Sequence, residues 1–102
     1  MIPELDRHRR AIAELCRRFG VQRLDVVGSA AREAAFDPAR SDVDFLVEYT
    51  PGTVPSLGEF LALRDALADL LGRPVDLVMA SGLRNPFVRA ELERSRAPLY
   101  AM

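Results

Sequence analysis

Leu24-Asp25-Val26-Val27-Gly28-Ser29, followed after twelve residues by Asp42-Val43-Asp44-Phe45-Leu46-Val47-Glu48-Tyr49, is the stretch whose reading decides the fold. The first part is short and β-branched and runs into Gly-Ser, so it reads as a strand ending in a tight turn. The second has a dense apolar half behind a charged start, the pattern of an interior strand. Between them Ser29 is a suitable N-cap and good helix formers follow, which predicts a short helix over Ala30–Ala35. Asp37-Pro38 then marks a turn.

Toward the N-terminus, Ile12, Leu15, Cys16 and Phe19 fall at helical spacing, with Leu5 one heptad before Ile12. This apolar stripe predicts one helix from about Pro3 to Phe19, stopped by Gly20. Toward the C-terminus, Pro51, Gly52 and Pro55 make 50–56 a loop. Leu57, Phe60, Leu61, Leu67, Leu70 and Leu71 then predict a long amphipathic helix closed by Gly72 and Pro74. Val75-Asp76-Leu77-Val78-Met79 is a third strand, Pro86 to about Arg94 a last helix, and Ala97–Met102 a short tail. No repeat or linker divides the chain. The expected class is α/β, a small mixed β-sheet with helices packed on it, in a single domain over 1–102.

The 102 residues include 14 basic ones, all Arg, against 15 Asp plus Glu, for a formal charge of −1. With no surplus of cations the chain lacks a general grip on polyanions, and no direct nucleic-acid binding is expected. No apolar run approaches the roughly 20 residues of a membrane-spanning helix, so no membrane partner is expected. The N-terminus has mixed charge and no apolar signal segment. The one cysteine, Cys16, cannot make an internal disulfide. A cytoplasmic location is the expectation.

Three carboxylates interrupt the strands. Asp42 and Asp44 are two apart, so alternation places both on one face, opposite Val43, Phe45 and Val47. Unpaired, they repel and raise each other's pKa; a divalent cation relieves this, and Mg²⁺ prefers one or two carboxylates plus substrate phosphates. Asp76 interrupts the third strand in the same way and joins the cluster if the two strands are neighbours. Two-metal phosphoryl-transfer sites need such carboxylates. Gly28-Ser29 supplies the complement: glycine lets the backbone approach a ligand closely, and the N–H groups and hydroxyl that follow suit a phosphate. Arg32 and Arg40 are cations placed to offset phosphate charge. For any one of these residues alone, a surface or capping role is the plainer reading.

Together they resemble a known pattern. Gly28-Ser29, then Asp42-Val43-Asp44, with Asp76 on a later strand, looks like the signature of the nucleotidyltransferase superfamily that includes DNA polymerase beta. With Gly72-Arg73-Pro74-Val75-Asp76-Leu77-Val78 and the Pro98-Leu99-Tyr100 ending, the chain is more specifically similar to the minimal nucleotidyltransferase (MNT) proteins, antitoxin partners of HEPN-domain ribonuclease toxins. The resemblance implies a polymerase-beta-like core and an Mg²⁺-dependent protein adenylyltransferase. The substrate it implies is ATP, whose AMP passes to a hydroxyl, a tyrosine of the HEPN partner, with release of pyrophosphate. It implies that Asp42 and Asp44 hold the metals, that Asp76 completes the second metal site and helps deprotonate the acceptor, and that Gly28, Ser29 and Arg32 bind the nucleotide.

The chain departs from that pattern at Ala30-Ala31-Arg32-Glu33, where many members of the family have Arg-Ala-Arg-Gly. Ala30 cannot contact phosphate, and Glu33 adds an anion. This motivates an alternative, a non-catalytic antitoxin acting by stoichiometric binding. A nucleotidyltransferase acting on a small molecule or a tRNA end would need an acceptor domain or a basic groove, and the sequence shows neither. His8 reads as solvated and Cys16 as core. Arg84, Asn85, Phe87 and Arg89 combine an aromatic with arginines, as interfaces do, or form an ordinary last helix.

Overall fold

The computed structural model describes residues 2–31 and 42–102. In chain order the elements are α1 (Pro3–Arg7), α2 (Arg9–Arg18), β1 (Val21–Val27), β2 (Val43–Tyr49), α3 (Leu57–Leu71), β3 (Val75–Met79), α4 (Pro86–Ser95) and β4 (Ala97–Ala101). The four strands form one mixed sheet in the order β3-β2-β1-β4. β1 runs antiparallel to both β2 and β4, while β2 and β3 are parallel neighbours joined through α3.

Local sequence explains each end of α3. Ser56 Oγ accepts the Glu59 N–H at 3.1 Å and Glu59 Oε1 accepts the Ser56 N–H at 3.1 Å, a reciprocal cap. At the other end Gly72 takes φ 67°, a left-handed conformation that other residues rarely adopt, and donates its N–H to the Ala68 carbonyl.

Register sorts the sheet into two faces. Across β1, β2 and β3 one row reads Val26, Phe45, Leu77, and beside it Leu24 faces Val47. With Val43 and Val75 these side chains are buried against Leu5, Ile12 and Cys16 from α1 and α2 and Leu63, Leu67 and Leu71 from α3. Full burial of one such side chain contributes about 1.5–3 kcal/mol, so this face holds the fold. The next row, on the opposite face, reads Val27, Asp44, Asp76. That face is covered only in part, by α4, none of whose residues is buried.

Three expectations are corrected. The helix from Pro3 to Phe19 is two segments separated by a turn at His8, whose ψ of 7° leaves the helical range. At the start of α1, Ile2 donates its N–H to the Ala30 carbonyl at 3.0 Å. Ala97–Met102 is not a free tail: 97–101 form β4, which pairs with the outer edge of β1 and buries Leu99. The first strand is also longer than its apolar run, because Val21–Arg23 pair with Glu48 and Tyr49. Of the short helix expected over Ala30–Ala35, the described part is a single 3-10 turn at Gly28–Ala30; residues 32–35 lie outside the described residues.

Candidate active site

Parallel register does for Asp76 what spacing alone could not: it sets Asp76 directly beside Asp44. Antiparallel register sets Val27 on the other side of Asp44, so the turn that follows Val27 begins next to both carboxylates. The approach is close. Gly28 has φ 71°, a backbone conformation that favours glycine, and a Cβ there would stand 3.0 Å from Asp44 Oδ2, so the carboxylate would have to give way to any side chain.

Asp42 lies just before β2 and is exposed, as is Asp76, while Asp44 is half-buried. The Asp44 carboxyl is pushed up to about 6, first by burial, then by its hydrogen bond to Asp76 and that residue's charge, then by the charge of Asp42. Like charges gathered at a sheet surface hold on to a proton or accept a cation. Among the described residues no three acidic, His or Cys side chains converge into a ready ion cage. The donor set nonetheless fits Mg²⁺, which uses one or two carboxylates and completes its shell with phosphate and water oxygens. Asp44 and Asp76 provide adjacent carboxylates, and Asp42 a third at the strand entrance.

A cavity of about 430 Å³ opens over this pair, lined among others by Val27, Asp44, Asp76, Leu83, Val88 and Leu92. Its volume lies within the roughly 300–1,000 Å³ range of small-molecule sites. A second hollow of about 360 Å³, near Glu48, Thr50 and Arg89, holds none of the candidate metal or nucleotide residues.

Arg32, Arg40, Glu33 and the Ser29 side chain lie outside the described residues. Ala30 is fully buried in the helix-covered core. His8 sits at the turn between α1 and α2. Cys16 is fully buried, and burial pushes its thiol up to about 12, against the pull of Arg17, so it is a core residue rather than a nucleophile. Asn85 caps α4, accepting the N–H groups of Phe87 and Val88, and Phe87 is exposed.

Sequence reasoning passed over the groups that tie α4 to this site. Gly28 donates its N–H to Ser95 Oγ at 3.1 Å. Next in the chain, Arg96 bonds the fully buried Asp25 carboxylate and reaches Glu48 at 2.9 Å and Glu93 at 3.1 Å. Arg23 also pairs with Asp25. Burial works to lower the Arg96 pKa, but its hydrogen bond to Asp25 and the charges of Asp25, Glu93 and Glu48 outweigh it and raise it. A carboxylate inside Leu24-Asp25-Val26-Val27 was the available signal for a buried cation partner. Nothing in the sequence pointed to Ser95.

Comparison with known proteins gives the family and the fold. Residues 8–98 match the family model of the nucleotidyltransferase domain. Over 79 residues the chain is 43% identical to the protein adenylyltransferase MntA of Thermococcus cleftensis, covering 78% of this chain and 76% of that protein. The fold matches a solved minimal nucleotidyltransferase with TM-score 0.75 and 37% identity over 92% of this chain and 91% of that one. At 18% identity and TM-score 0.69 it also matches a chain in the structure of a tri-AMPylated Shewanella oneidensis HEPN toxin in complex with MNT antitoxin, over 96% of this chain and 73% of that one. Among the described residues no helix is long and apolar enough to cross a membrane. The chain belongs to the nucleotidyltransferase family, within its minimal branch.

Proposed function

We propose that this chain is the antitoxin of a HEPN ribonuclease toxin and silences it by transferring AMP from ATP to a tyrosine hydroxyl of the toxin. The observation that carries the reading is the row Val27, Asp44, Asp76 with the Gly28 turn packed against Asp44. It brings a glycine turn and two carboxylates to one spot, which supports a phosphate-binding role for the turn. The kinship with a protein adenylyltransferase supports the reaction, and the kinship with a toxin–antitoxin complex supports the partner.

In this reading Asp42, Asp44 and Asp76 hold Mg²⁺. Held there, Mg²⁺ would supply charge to offset the triphosphate and to lower the pKa of the acceptor hydroxyl. Gly28 lets the backbone come close to the phosphates, and Ser29 and Arg32 bind them. Asp76, the more exposed of the paired carboxylates, takes the proton from the tyrosine hydroxyl. The phenolic oxygen bonds to the α-phosphorus as the bond to the β-phosphate oxygen breaks, and pyrophosphate leaves. The apolar side chains Leu83, Val88 and Leu92 beside the aspartates suit an aromatic acceptor over a bare sugar or serine hydroxyl.

The test is transfer of label. With Mg²⁺ and the folded HEPN protein encoded beside this chain, label at the α-phosphate of ATP should follow the toxin and label at the γ-phosphate should not. Absence of α-label transfer sinks the catalytic claim. A second reading, inhibition by stoichiometric binding, is favoured by Ala30, which is buried in the core and contributes nothing to phosphate. It predicts that the Asp42→Ala/Asp44→Ala protein still protects cells from the toxin.

A further inference from the structure

The end of α4 reaches the nucleotide turn through two consecutive residues. Ser95, the last residue of the helix, accepts the Gly28 N–H through Oγ at 3.1 Å, while its own hydroxyl donates back into the helix, toward the Leu92 and Glu91 carbonyls at 3.4 and 3.5 Å. The hydroxyl therefore has both its roles filled, with one end on the turn and the other on the helix. Arg96 fixes the place from which Ser95 acts. Its guanidinium bonds Asp25, fully buried three residues before Gly28 on β1, and Glu48 on β2. A helix that buries none of its own residues is thus pinned at this end by directed polar bonds rather than by packing.

We propose that Ser95, held by Arg96, is a positioning residue that fixes the Gly28-Ser29 turn in its phosphate-binding conformation. This rests on the nucleotide-transfer reading above. Gly28 is the one residue of the turn with a left-handed backbone, and glycine populates both signs of φ readily, so something must choose between them. A hydrogen bond on the Gly28 N–H makes that choice from outside the turn. With the peptide plane fixed, the groups that follow Gly28 keep one orientation, and the ordering is done before nucleotide arrives. The rival use of the same contact has Ser95 Oγ standing in for a phosphate oxygen, to be displaced on binding. The two uses predict opposite signs for the loss of the hydroxyl.

The test is binding of Mg·ATP to the full chain by calorimetry, for the wild type, Ser95→Ala and Ser95→Thr, with amide hydrogen exchange at 28–30 read on the same proteins. Ser95 is only half-buried, so Ser95→Ala is expected to fold. Loss of one hydrogen bond predicts affinity weakened about fivefold in Ser95→Ala. Exchange at 28–30 should be faster without nucleotide, and both effects should be reversed in Ser95→Thr, which keeps the hydroxyl. A wild type that binds Mg·ATP while Ser95→Ala binds as tightly or more tightly overturns the positioning role and leaves the functional reading standing. A wild type that does not bind Mg·ATP overturns both.

Discussion

Asp44 is where the site's electrostatics concentrate. Its carboxyl titrates near 6 rather than at the ordinary 3.8, with burial first among the causes. Below pH about 4 the group is neutral whether the chain is folded or not; between there and about 6 the folded chain keeps the proton that the unfolded chain releases; above 6 both are charged and the fold bears the whole penalty. Asp44 therefore takes stability from the metal-free protein as pH rises from about 4 to about 6. Asp44→Asn should remove that slope and raise stability at pH 7 by on the order of 1 kcal/mol, with no gain at pH 3.5, as read by unfolding without Mg²⁺. In the wild type, protons compete for the same oxygens, so Mg²⁺ affinity should fall as pH drops through 6, measurable by calorimetry. Gly28→Ala tests the neighbouring turn. The new methyl would meet Asp44 Oδ2 in a backbone conformation that alanine resists, so Mg·ATP binding should drop at least about tenfold. Unchanged binding would separate the turn from the site.

At the scale of elements, α3 and the end of α4 have identifiable fastenings. Ser56→Ala removes the reciprocal cap of α3 and should lower stability by about 1 kcal/mol in denaturant unfolding. Arg96→Ala strips a buried carboxylate of a principal partner, though Arg23 remains, and should cost about 3 kcal/mol. An effect below about 0.5 kcal/mol would show that α4 and β4 hold to the sheet without it. Elements with a full apolar period were legible in the sequence, and α3, β2, β3 and α4 lie within a residue of expectation. What escaped was set by pairing at a distance. Ala97-Pro98-Leu99-Tyr100-Ala101 has no strand pattern strong enough to stand alone, and becomes β4 because the outer edge of β1 needs a partner. The break at His8 leaves the apolar stripe intact, since Leu5 and Ile12 are both fully buried, so periodicity gave no sign of it.

For the molecule as a whole, the sheet order brings the candidate site together. Asp42, Asp44 and Gly28 were visible as chemistry in the sequence, but only the parallel pairing of β2 with β3 puts Asp76 beside Asp44, and strand order is not written in any one segment. One face of the sheet carries the core and the other carries the carboxylates, the turn and a loosely seated helix, with an apolar-walled cavity over the aspartates. Near-zero net charge conceals this division, because 14 basic and 15 acidic residues nearly cancel in the sum wherever they lie. The central claim is that this face modifies a protein. Its most direct test is the intact and peptide mass of the HEPN toxin after co-expression with this chain. The account predicts an AMP adduct on a toxin tyrosine with the wild type and unmodified toxin with Asp44→Asn; unmodified toxin with the wild type, or the same adduct with both, would contradict it.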